Sequence, residues 1–220
     1  MSVPAAIRSG ELRDIGRFLL RVYAAPREVF GELGGHPARS AIGAVAMVGM
    51  SVLYAIVPVF LAILDGVPVP EPFLRIPSDR YFYWAAYFYL PALLAGWVFG
   101  SAVFQILARS LGGLGTFEDT LALVGFATAT ATAAALIPDL LVTTVQIAGL
   151  MDYGAWRQSV DGFGPWFFLT WAYLIAYAVL FLVFYAAIGR TLHGLGRGRA
   201  ALCATASFVA YQGFILIFIR

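Results

Sequence analysis

The chain has 220 residues, 61% of them hydrophobic and only 12% charged, with a mean hydropathy of +0.85. A soluble domain carries about 25% charged residues, so a water-soluble globular fold is excluded. The net charge of +2 sets up no field for nucleic acid or another polyanion, and the single cysteine, Cys203, excludes an intrachain disulfide framework and a cysteine-based metal site.

Residues 1–40 are punctuated by charge and lack the apolar core of a cleavable signal peptide, so insertion is expected to rely on the first membrane span. Ile7, Leu12, Ile15, Phe18, Leu19 and Val22 recur at roughly helical spacing, and Arg13, Arg17 and Arg21 form an i, i+4, i+8 stripe. This pattern predicts an amphipathic helix with a cationic edge. Two placements fit it equally: lying on anionic lipid, or packing as a solvated helix against the membrane domain. Pro26 then opens a second short helix, closed by Gly34-Gly35 and stopped by Pro37. Residues 1–40 are therefore expected to form a cytoplasmic pair of amphipathic helices.

Residues 41–220 predict five spans, at about 41–64, 81–108, 120–151, 162–189 and 200–219. Each meets the requirement of about 20 apolar residues for a hydrocarbon core near 30 Å. The third is too short for two spans and is expected to tilt or kink. None alternates apolar and polar residues as barrel strands do, and helices satisfy their own backbone in lipid. The predicted class is all-α, a polytopic membrane bundle of five helices. Pro58, Pro91 and Pro138 are expected to kink the first three spans.

Arginine counting orients the bundle. Arg8, Arg13, Arg17, Arg21, Arg27, Arg39, Arg109, Arg190, Arg197 and Arg199 fall on one side; Arg75, Arg80, Arg157 and Arg220 fall on the other. The N-terminus is expected inside and the C-terminus outside. Trp84, Trp156, Trp166 and Trp171, with Tyr81, Tyr83 and Tyr153, lie near the outer span ends, where aromatic rings favour the interface. All 14 basic residues are arginine, a bias that points to a GC-rich prokaryotic genome and so to a bacterial inner membrane.

Few residues offer chemistry. Asp139, after Pro138, is the one ionisable residue within a predicted span, and such residues are functional candidates by default. Its structural alternatives are a contact with interface water or Arg157, or capping of a helix turn restarted after Pro138. A proton- or cation-linked role would make the protein a small transporter or permease subunit, with Thr128, Thr130, Thr132, Thr143 and Thr144 lining the path. Glu118 and Asp119 suit the first turn of a helix or a cation site. Gly96 and Gly100 form a GxxxG, and Gly43, Ala46 and Ala55 give the first span a small-residue face; both suit helix packing, within the chain or between copies. Arg13, Arg17, Arg21, Arg197 and Arg199 are candidate lipid head-group contacts. His36 and His193 stand alone, and no HExxH, GxSxG or CxxC occurs. No catalytic, cofactor-binding or metal-binding residue is predicted, and no nucleic-acid partner.

The stretch VYAAPREVFGELGGHP, followed at once by a span, resembles the opening of the Yip family (Ypt/Rab-interacting proteins and their prokaryotic relatives). The third span, FEDTLALVGFATATATAAALIPDLL, is similar to the family's polar-start span with a late proline, and GRTLHGLGRGRAAL to its short basic turn before an alanine-rich last span. The resemblance covers about residues 20–220. It implies five spans, an inside N-terminus and outside C-terminus, and self-association or assembly with other membrane proteins. In eukaryotes it implies membrane trafficking with Rab-type GTPases. The reading that follows is a prokaryotic-type, non-catalytic membrane-organising or scaffold protein, with lipid, other copies or other membrane proteins as partners.

Overall fold

A computed structural model describes residues 9–66, 68, 73 and 76–218, with side chains from residue 14 onward. Arg8, Arg75 and Arg220, and the Arg13 side chain, lie outside the described residues. Helices make up 82% of the described residues and no strand occurs among them, so the class is all-α. In chain order the helices are α1 (Ser9–Arg21), α2 (Pro26–Gly34), α3 (Arg39–Tyr54), α4 (Ile56–Ile63), α5 (Tyr81–Ser110), α6 (Phe117–Ile147), α7 (Tyr153–Asp161), α8 (Pro165–Thr191) and α9 (Arg197–Phe218).

Among the described residues five stretches are long and apolar enough to cross a membrane: Arg39–Ile63, Ser78–Ser110, Phe117–Ile147, Pro165–Thr191 and Arg197–Phe218. The first is broken at Ala55 into α3 and α4. Pro58 has no N–H to give to the carbonyl four residues back, at Tyr54, and α3 ends on that residue. Pro91 and Pro138 instead sit inside α5 and α6, neither of which is interrupted. Between the third and fourth spans, where the sequence predicts no element, α7 is started by Asp152, whose side chain accepts from the Ala155 N–H at 2.7 Å.

α6 is the centre of the bundle. Its apolar stretch is 78% buried, against 11–33% for the other four. The reason lies in its composition: Gly125 and the Ala/Thr run over 127–135 let neighbours approach its backbone closely. A Cβ on Gly43 of α3 would lie only 2.1 Å from the Ala122 carbonyl oxygen, and one on Gly125 would lie 2.9 Å from the Trp97 indole. Trp97 also donates its indole N–H to the Leu121 carbonyl at 2.9 Å.

α1 and α2 share this core. Phe18, Val22, Val29, Phe30 and Leu33 are buried in one cluster with Leu123, Phe126 and Phe184. Phe30 packs against Phe126 and Phe184, ring centroids 6.2 and 5.9 Å apart. A second, smaller cluster is built on Met47 of α3, Ala62 of α4 and Tyr81, Phe82, Ala85, Tyr89, Ala92 and Leu93 of α5. Tyr81 corrects the sequence reading of an interfacial anchor. It is fully buried, and its hydroxyl donates to the Phe218 carbonyl at 2.9 Å; the α5–α9 crossing supplies the acceptor that a buried phenol requires. Trp84 and Trp171 are more than half exposed, as anchors would be.

Candidate functional site

In the C-terminal half of α6, side chains from two other spans converge on Asp139. The Tyr173 hydroxyl, from α8, donates to Oδ1 at 2.9 Å, and the Tyr54 hydroxyl, from the end of α3, donates to Oδ2 at 3.2 Å. Two hydroxyl donors on two oxygens suit an acceptor-only carboxylate. Neither the Arg157 ion pair nor the helix cap suggested by the sequence is found among the described residues. Arg157 lies 3.6 Å from Asp161, one turn away on its own helix. α6 runs unbroken through Pro138, so there is no restarted turn for Asp139 to cap.

Asp139 lines a cavity of ≈ 370 Å³ with Tyr54, Tyr173, Tyr177, Gln146 and Trp156. Gln146, 4% exposed, has neither amide atom hydrogen-bonded, and the Trp156 indole N–H is also unpartnered. Buried polar groups are nearly always paired, so these mark an unmet demand in the cavity wall. Tyr177 donates to Gln212 Oε1 of α9 at 2.8 Å. The converging tyrosines escaped the sequence reading, although Tyr173, Tyr177 and Tyr185 recur at multiples of four. That spacing places polar hydroxyls along one inward stripe of α8.

The threonines of the third span do not form one continuous path. Thr130 donates to the Phe126 and Ala127 carbonyls of its own helix, and Thr128 is paired with the Tyr185 hydroxyl at 2.8 Å. Thr132 and Thr143 alone of the five line the cavity.

The other end of α6 carries a second polar group. Thr116 caps the helix, accepting from the Asp119 N–H at 3.2 Å. Asp119 pairs with Arg39 at the start of α3, and Ser40 donates to Glu118 at 3.0 Å. These contacts hold the α3–α6 crossing where α2 leads into the first span. Arg39→Met is expected to cost about 2 kcal/mol, the worth of a charge-assisted hydrogen bond, read as a lowered melting temperature in detergent.

His193, in the α8–α9 turn, closes a relay at the same end. With the proton on Nε2 it donates to Thr120 Oγ1 at 2.9 Å; Thr120 donates to Gln105 Oε1 at 2.6 Å; Gln105 Nε2 donates to the Gly115 carbonyl at 2.9 Å. Burial and the Arg109 guanidinium push His193 down to about 4, with the Asp119 carboxylate opposing. The folded chain thus holds a neutral imidazole, whereas an unfolded histidine protonates near 6.5. Its contribution to stability is full above pH 6.5 and lost as pH falls towards about 4. A smaller drop in melting temperature from pH 7.5 to 4.5 for His193→Gln than for the wild type is the expected outcome, since the carboxylates titrate in both.

The remaining candidates are placed as follows. Gly96 and Gly100 of α5 face α9: an added Cβ would meet Ile215 and Tyr211 at Gly96, and Tyr211 and Ser207 at Gly100. Arg21 forks onto Glu32 at 2.8 and 2.9 Å. Arg17 lies 3.8 Å from Asp14 and over the Phe18 ring. Arg199 donates to the Leu111 carbonyl at 3.2 Å, and Arg197 is exposed at the first turn of α9. Among the described residues no group of three or more histidine, cysteine or acidic side chains is placed to hold a metal.

A family model described as the Yip1 domain matches residues 20–219. No curated protein and no solved structure matches the chain. The match takes in all five apolar helices and begins within α1, ahead of the proline-led α2, so the chain is an integral membrane protein that belongs to the Yip1 domain family.

Proposed function

We propose that the protein is a non-catalytic membrane-organising scaffold that works through its helix faces and an N-terminal arm, α1 and α2, set into one leaflet. One contact carries this reading. The Tyr23 hydroxyl, in the turn between α1 and α2, donates to the Thr130 carbonyl at 2.6 Å. Thr130 stands thirteen residues into α6, about 20 Å along the helix, and the whole hydrocarbon core spans about 30 Å. The turn therefore reaches membrane depth. There Leu20, 82% exposed, and the half-exposed Tyr23 face lipid, and Arg21 and Glu32 neutralise each other in their bidentate pair.

The arm lies at the arginine-rich end of the bundle, and the positive-inside rule supports a cytoplasmic N-terminus with the C-terminus outside. The arginine bias supports a prokaryotic cytoplasmic membrane as its location. Exposed Arg197 and Arg17 are the lipid head-group contacts that remain after Arg21 is committed to Glu32. Partners are other copies or other membrane proteins docking on the arm and on the exposed helix faces. Purification in mild detergent followed by mass spectrometry is expected to recover such partners, with fewer after removal of residues 1–25. A partner-free monomer whose deletion leaves the membrane protein composition unchanged would sink the reading.

A further inference from the structure

The Asp139 cavity has a donor and acceptor pattern that the chain's own side chains leave incomplete. A carboxylate offers about four lone-pair sites; the tyrosine hydroxyls of Tyr54 and Tyr173 take two. Among the described residues no ion pair reaches Asp139, so its charge faces the cavity without a counter-ion. The Gln146 amide, buried and unpartnered at both atoms, offers one further acceptor and two donors, and the Trp156 indole N–H a third. Aromatic residues, among them Tyr54, Tyr89, Trp156, Trp166 and Tyr173, line the same cavity as the carboxylate, and aromatic walls attract organic ammonium ions. An apolar stretch of the wall, with Leu93, Val142, Leu174 and Ile215 among its residues, suits an alkyl chain. The volume of ≈ 370 Å³ lies within the range of small-molecule sites.

We propose that this cavity binds the ammonium group of an amine-bearing amphiphile, with Asp139 as counter-ion and Gln146 as the second polar contact. Asp139 sits seven residues beyond Thr132, the middle residue of α6, about 10 Å along the helix; with α6 centred on a hydrocarbon core about 30 Å thick, the ammonium lies nearer one interface than the bilayer centre. That depth suits a lipid with an amino head group as well as a free alkylamine; the shared chemistry is a primary ammonium on an apolar chain.

The full-length protein in a non-ionic detergent would be titrated with hexylammonium and with hexanol, followed by calorimetry. The wild type is expected to bind hexylammonium at least tenfold more tightly than hexanol, and Asp139→Asn to abolish the difference. Gln146→Leu provides a check that does not depend on the aspartate variant folding. It is expected to weaken hexylammonium about fivefold while leaving the melting temperature unchanged or higher, because it removes a buried unpaired amide. Equal affinity for the two probes in the wild type, or hexylammonium binding retained by a folded Asp139→Asn, overturns the proposal. Native mass spectrometry from nanodiscs of phosphatidylethanolamine and phosphatidylglycerol assigns the source. Retained phosphatidylethanolamine, lost in Gln146→Leu, supports a lipid; hexylammonium binding without it supports a free amine.

Discussion

Gly43→Ala is expected to destabilise the bundle by about 3 kcal/mol, the upper end of what overpacking costs. The added Cβ would stand 2.1 Å from the Ala122 carbonyl oxygen, 2.7 Å from its carbonyl carbon and 2.8 Å from its Cα. All three atoms are backbone, so no side chain can rotate out of the way and α3 must move as a unit. That movement would also strain the Arg39–Asp119 pair one turn earlier, which holds the same crossing. Gly49→Ala, on the same helix with nothing within 4 Å, is the matched control. It is expected to leave stability unchanged or slightly raised, since alanine is the better helix former. Melting curves of the two variants in one detergent decide the matter: comparable losses would show that α3 does not depend on this contact.

The same glycine shows how far the fold was legible in the sequence. Gly43 belongs to a recognisable small-residue face of the first span, and Gly96 and Gly100 to a recognisable GxxxG, so close approach was readable at both. Their partners were not. In lipid the outside of a bundle is as apolar as its inside, and mean hydropathy differs little among the five spans, 1.8 to 2.3. Hydropathy therefore located every span and ranked none of them as central. What distinguishes α6 is its Ala/Thr/Gly run, a cue to small size rather than to polarity. The site was half legible for a related reason. Asp139 stood out as a lone intramembrane charge, whereas its partners are tyrosines, which interface anchoring already accounts for in a membrane sequence. Only their spacing along α8 separates Tyr173 and Tyr177 from anchors. His193 was invisible because its relay needs Thr120 and Gln105 from two other helices, and no spacing along the chain encodes that meeting.

Phe30→Ala is expected to release the N-terminal arm while leaving the five-span bundle folded. Phe30 is 1% exposed and packs against both Phe126 of α6 and Phe184 of α8. Truncating a buried phenylalanine costs about 3–5 kcal/mol. Here that cost falls on docking of the arm, because α5, α6, α8 and α9 contact one another without it. Each 1.4 kcal/mol is a factor of ten in an equilibrium, so even 3 kcal/mol raises the undocked population more than 100-fold. Limited trypsin digestion reads this directly, since Arg17, Arg21 and Arg27 lie in or beside the arm. The expected result is rapid cleavage there in Phe30→Ala, an arm that resists in the wild type, and an undigested membrane core in both. Leu20→Ser serves as the control: Leu20 is exposed, so docking and protection should hold, while any lipid contact made by that face is weakened. Unchanged protection in Phe30→Ala would mean that the arm is not held by this aromatic contact, and the proposal of an arm set at membrane depth would fall with it.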